Sequence, residues 1–226
     1  MSSEIEAKPA LRLLRPDEIP HVLEEGEMGC ALEWAVTDPK TGVVREHVVK
    51  RSESYVRQFL DLLYAIANNA SQEYPIVIRD STNTLRNVLH DTNDLFNRVP
   101  YTLDVQSAVG TATSLCVGTG AVAPTINDYA LGTTIAHGAG GGQMQYGAVT
   151  FGLPGNDATT AQFTITRNFT ANAGGITVNE IGLYARARES PNTERWFLII
   201  RDVIGGGIVV PAGQTLTINY RPQVTI

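Results

Sequence analysis

The sequence predicts a mainly β protein: an antiparallel β-sandwich, jelly-roll-like, with an extended N-terminal arm and one amphipathic α-helix. From residue 107 to residue 226, short apolar segments recur between Gly- and Pro-containing turns, and most of the 21 glycines fall there. Only the stretch from residue 52 to about 69 carries helical rather than alternating periodicity. Residues 1–27 show neither period. The chain is expected to divide into an arm, 1–27; a hairpin, helix and polar connecting region, 28–106; and a β-sandwich module, 107–226.

In the arm, Pro9, Pro16 and Pro20 interrupt any helix, because each lacks an N–H donor and restricts its predecessor. Carboxylates (Glu4, Glu6, Asp17, Glu18, Glu24, Glu25, Glu27) outnumber Lys8, Arg12 and Arg15, and apolar side chains such as Leu11, Leu13, Leu14 and Ile19 are scattered. Such a segment is expected to be extended and to gain order by lying on another surface. Residues 30–50 read as a hairpin. Leu32, Trp34 and Val36 alternate, Pro39 and Gly42 supply a turn, and VVREHVVK returns.

In the helix, Tyr55, Val56, Phe59, Leu60, Leu62, Leu63 and Ile66 build an apolar stripe opposite Ser54, Arg57, Gln58, Asp61 and Asn68. Ser52 or Ser54 can cap its start, and Asn68-Asn69 suits its stop. Strands are then expected at 74–79, 114–118, 144–151, 161–168, 175–184, 195–203 and 215–220, with a polar stretch at 80–98.

Composition excludes several classes. At 43% hydrophobic and 18% charged, the chain is too apolar for wholesale disorder. A net charge of −6 argues against nucleic-acid binding through phosphate neutralisation. No run of ~18 apolar residues predicts a membrane-spanning helix, and the start lacks the basic and apolar regions of a Sec signal. Cys30 and Cys116 form neither a CxxC pair nor a disulfide framework and read as buried thiols kept in a reducing cytoplasm.

Candidate chemistry is sparse. Residues 118–123, GTGAVA, match the spacing of a dinucleotide fingerprint, but Pro124 follows at once and no βαβ pattern surrounds them. His137 and its glycine run look superficially like an oxyanion loop, yet no G-x-S-x-G elbow accompanies them. The histidines at 21, 47, 90 and 137 show no metal-ligand spacing, and residues 91–94 lack the glycine and distal glutamate of a calcium loop. Asn69-Ala-Ser71 and Asn168-Phe-Thr170 match the glycosylation sequon by chance. Arg186, Arg188 and Arg195, beside Glu189 and Glu194, read as a solvated turn. Tyr129, Tyr146, Phe151 and Tyr184 could serve a carbohydrate-binding face, but nothing aligns them and core packing is the simpler reading. Glu180 stands in an apolar strand and needs an arginine or backbone N–H groups; it reads as structural. No catalytic residue, cofactor or metal site is expected.

The stretch VGTGAVAPTINDYALGTTIAHG (117–138) is followed by NFTANAGGITVNEIGLYARA (168–187), then by WFLIIRDVI and VVPAGQTLTINYRPQV, with Tyr146-Gly147 between the first two. In that order, these stretches resemble a module of the virion structural proteins of tailed bacteriophages. The resemblance covers roughly residues 114–226. It implies a β-sandwich with no enzymatic role, of the kind found in capsid decoration or cement proteins and in tail, baseplate and fibre components. The first expectation is a capsid decoration protein that contacts the major capsid protein or neighbouring virion proteins through its arm and edge strands, as a symmetric homo-oligomer such as a trimer. The alternative is a tail, baseplate or fibre-attachment component. No membrane and no direct nucleic-acid contact are expected; the location is the virion, assembled in the host cytoplasm. In the arm, Leu11, Leu13, Leu14 and Ile19 are the expected apolar anchors, with Arg12 and Arg15 pairing carboxylates across the contact.

Overall fold

A computed structural model describes residues 28–52, 55–67, 76–89, 105, 107–189 and 193–225. The arm residues Leu11, Arg12, Leu13, Leu14, Arg15 and Ile19 lie outside the described residues, as do Ser54, Asn69, His21, His90 and residues 91–94. Over the described residues the protein is mainly β, with antiparallel sheets and one helix in a β-sandwich-like arrangement.

The first sheet grows from the hairpin of β1 (Met28–Thr37) and β2 (Val44–Arg51). Its turn is closed by Asp38, which accepts from the Lys40 N–H at 2.9 Å, and by Gly42 at φ 71°. The other edge of β1 pairs antiparallel with β13 (Thr215–Thr225), from Met28 opposite Val224 to Thr37 opposite Thr215. Beyond β13 lie β10 (Ile165–Thr170) and β9 (Thr160–Gln162), the latter flanked by β8 (Gly155–Asn156). The short strands β6 (Gln145–Tyr146) and β7 (Thr150–Phe151) pair with β10. The 28–106 segment and the 107–226 segment therefore share one sheet.

The second sheet centres on the hairpin of β11 (Ile176–Glu189) and β12 (Thr193–Val210). The free side of β11 carries β5 (Leu115–Gly118) and, further along, β4 (Leu85–Leu89), with β3 (Ile76–Arg79) outside it. Val178 pairs with Ile208 but Glu180 pairs with Val203, so residues 204–207 loop out of β12. Gly206 and Gly207 turn that loop at φ 84° and 68°.

Opposed residues of an antiparallel pair share a face, so the register assigns the core. Leu32, Tyr220 and Ile165 align, as do Val36, Leu216 and Phe169; all are buried. They join Ile181, Leu183 and Ile200 of the second sheet in one apolar cluster.

The helix α1 spans Arg57–Ala67 and packs on β12 and β3. It starts later than periodicity suggests because the preceding residues are engaged otherwise. The Ser52 hydroxyl donates to Asp202 at 2.7 Å, and the Val56 N–H donates to the Ile199 carbonyl at 3.1 Å, extending the pairing at the edge of β12. The buried face is Gln58, Leu62 and Ala65, at i, i+4 and i+7. Leu60, assigned to the stripe, is instead 63% exposed, and Gln58, assigned to the polar side, is buried. The strand β4 lies inside the stretch read as merely polar. Asp80 makes the turn before it by accepting from the N–H groups of Thr82 and Thr84, while Asn83 adopts φ 67°. Strands β11 and β12 also run through the segment read as a solvated turn. There Arg195 pairs with Glu189 at 2.6 Å and Arg186 with Glu194 at 3.2 Å across the ladder. No helix among the described residues is long and apolar enough to cross a membrane.

Candidate functional site

The residues that stood out as motifs meet around one carboxylate. Glu180 lies on β11 opposite Gly118 of β5 and, on the other side, Val203 of β12. Gly182, two residues on, faces Arg201, which brings the guanidinium diagonally onto Glu180. Glu180 is fully buried and accepts from the N–H groups of Gly120 (3.0 Å), Gly132 (3.0 Å) and Thr133 (2.8 Å) and from Arg201 Nε (3.0 Å) and Nη2 (2.8 Å). Arg201 Nη1 reaches Asp128 at 2.6 Å, and Nη2 also donates to the Val122 carbonyl at 3.1 Å. Asp128 in turn caps its own turn through Thr125, and the Leu131 N–H donates to the Tyr184 hydroxyl at 2.8 Å. The loop after β5 is thus clasped onto the second sheet at several points.

The glycines of the dinucleotide-like run have a steric explanation. A Cβ on Gly118 would sit 2.6 Å from a Glu180 carboxylate oxygen and 2.6 Å from the Thr133 carbonyl, and one on Gly120 would overlap the same carboxylate. The loop N–H groups serve Glu180, where a nucleotide site would offer them to a pyrophosphate. Burial pushes the Glu180 carboxyl upward, but the N–H groups of Thr133 and Gly132 and the Arg201 charge outweigh it, holding it below its ordinary value. Both sequence-level requirements of Glu180, an arginine and backbone donors, are met together.

A second buried charge was missed in the sequence. Arg167, on β10 between the inward-facing Ile165 and Phe169, is fully buried, and its hydrogen bonds run to main-chain carbonyls. Nε donates to Gly147 (2.8 Å), Nη1 to Thr113 (2.6 Å) and Leu115 (2.9 Å), and Nη2 to Ala108 (3.2 Å) and Thr111 (2.7 Å). The guanidinium carbon lies 4.9 Å from the centroid of the Tyr146 ring. Desolvation lowers its pKa from the ordinary value. Its role is to tie the 107–115 segment to β10. The available signal was its position: alternation along β10 aims Arg167 inward with Ile165 and Phe169.

Other titratable groups between and around the sheets are likewise engaged. Glu33 accepts from His47 at 2.6 Å, from Asn219 at 2.7 Å and from Arg221. Asp202 accepts from Ser52 and from Tyr220, each at 2.7 Å. Cys30 and Cys116 are buried in strands; desolvation pushes the Cys116 thiol up to about 12 and that of Cys30 higher still. Both therefore stay protonated and are poor nucleophiles near neutral pH. Among the described residues, no group of three or more His, Cys, Asp or Glu could hold a metal ion.

The remaining candidates resolve individually. His137 Nδ1 accepts from the Tyr146 N–H at 3.1 Å, and the Gly140 N–H donates to Gln143, so the glycine run closes on itself. Tyr146 and Tyr184 are buried and point their hydroxyls at main-chain partners, which removes them from any carbohydrate-facing plane.

One apolar concavity is large enough to receive something. A groove of about 600 Å³ opens between the sheets beside α1. Ile165, Leu183 and Ile200 form its buried floor; Phe163, Val224 and Met28 stand partly exposed at its mouth. That volume is in the range of about 300–1,000 Å³ typical of small-molecule pockets. Met28 is the first described residue, to which residues 1–27 are attached.

No protein-family model matches the chain, and no curated protein or solved structure is significantly similar to it.

Proposed function

We propose that the chain is a non-enzymatic structural protein of a tailed-phage virion, a capsid decoration or cement protein that stabilises the shell through its arm and edge strands. The observation that carries the reading is the convergence of the resemblance-bearing residues. Gly118, Gly120, Asp128, Gly132, Glu180, Gly182 and Tyr184 belong to one clasp around the buried Glu180 carboxylate, which gives that ordered motif set a scaffold role. A rigid sandwich with an apolar groove beside the root of a proline-containing arm suits a protein whose work is contact with neighbours.

Copy number in purified particles tests it, by quantitative gel densitometry against the major shell protein. A simple fixed ratio to the shell subunit is expected. A handful of copies per particle would move the protein to the tail or baseplate, and absence from particles would overturn the reading. Deleting residues 1–27 should abolish incorporation and leave the fold intact.

A further inference from the structure

We infer that the apolar groove at the mouth of the sandwich is the receptor for the arm of a second copy, which inserts Leu11 and Leu13 into it. The floor of the groove consists of core side chains, Ile165, Leu183 and Ile200, so an apolar occupant completes the hydrophobic core at that end. Phe163 and Val224, 37% and 46% exposed at the mouth, would be covered by the same event. The occupant must be apolar, narrow and available in the same number as the grooves. A segment of this chain meets all of these conditions.

Where the arm begins argues for exchange between copies. β1 begins at Met28, which lines the groove, so residues 1–27 are attached to the fold at that point. Leu13 stands about 15 residues before Met28, a reach of about 50 Å if extended. A 226-residue fold has a radius of gyration of about 17 Å, so that reach clears its own body. Pro9, Pro16 and Pro20 fix φ and favour an extended path over a tight reversal. The cluster is thereby delivered to a neighbour, and the arrangement closes into a ring when the rotation between copies permits. Leu11 and Leu13 share one side of an extended chain and face the groove, leaving Arg12 and Leu14 on the other.

The inference does not require the virion reading and is tested on the isolated full chain by size-exclusion chromatography with light scattering. Three variants accompany it: the double variant Leu11→Ser/Leu13→Ser, and at the mouth of the groove Phe163→Glu and, separately, Val224→Glu. The full chain is expected at a multiple of 24.4 kDa, and each variant, with unchanged circular dichroism, at 24.4 kDa. A full chain that is monomeric at all concentrations would overturn the inference, whether its arm is free or folded onto its own groove. An oligomer that survives both groove substitutions would overturn it as well. Either failure leaves the copy-number test of the virion reading untouched.

Discussion

Replacing Glu180 by glutamine removes one charge with almost no change in shape. In the native clasp, one carboxylate oxygen accepts from Gly120 and Thr133, the other from Gly132 and both Arg201 nitrogens. An amide oriented to keep Gly120 and Thr133 satisfied turns its NH₂ toward Gly132 and Arg201, where donors face donors. Removing one member of a buried ion pair costs about 3–5 kcal/mol, and an unmet buried donor about 1–3 kcal/mol. Arg201 keeps Asp128 and the Val122 carbonyl, which holds the expected loss near 3–4 kcal/mol, or about 10 °C in Tm for a chain of this length. Urea titration followed by tryptophan fluorescence should show a lower midpoint at constant slope. The double variant Glu180→Gln/Arg201→Met should lose less than the sum of the singles, because the orphaned guanidinium is gone. A loss for Glu180→Gln below about 1 kcal/mol, with additive singles, would refute the clasp as the element that fixes the loop.

The remaining predictions concern packing, the buried arginine and pH. Gly118→Ala should destabilise by about 1–3 kcal/mol in thermal melts, since its Cβ meets the Thr133 main-chain carbonyl, which cannot rotate away. Arg167→Lys keeps the charge but offers fewer donors to the carbonyls of residues 108–115 and Gly147. It should cost about 3 kcal/mol and raise amide exchange in that segment, as read by hydrogen–deuterium exchange. The Glu180 carboxyl is held below its ordinary value of 4.5, so its contribution is complete above that pH and is lost as pH falls through the lower folded-state value. Acid titration of the wild type should therefore lower Tm below pH 4.5, with a flatter profile in Glu180→Gln.

Most strands of residues 114–225 were legible because apolar alternation and Gly/Pro punctuation repeat there, although the segments 144–151 and 161–168 each divide into two short strands and β8 lies in a stretch read as a turn; Glu180 advertised its need by standing in an apolar strand. Its partner Arg201 was not legible. The two residues meet only because bulges at Val178/Glu180 and at Leu183/Tyr184 set the register of a long hairpin, and register leaves no local trace. Arg167 was hidden for a different reason: its partners are carbonyls, which every residue carries, so no side-chain pattern reports them. Leu60 misled because a broad apolar stripe does not say which side a helix buries, and contact with β12 and β3 chose Gln58, Leu62 and Ala65. Strand β4 was lost inside a polar stretch because a segment as short as LRNVL, with Arg86 and Asn87 among its five residues, carries little apolar signal of its own.

The place of β13 bears on how the chain is made. It lies between β1 and β10 in the first sheet, so each of them lacks this neighbour until residues 215–225 have been made. About 180 residues separate the end of β1 from the start of β13, roughly 10–35 s of synthesis at about 5–20 residues per second. Throughout that interval the nascent β1–β2 hairpin presents Leu32, Trp34 and Val36 without the strand that flanks them. Slower initiation or a holding chaperone during expression should raise soluble yield more than any change made to the folded protein's surface.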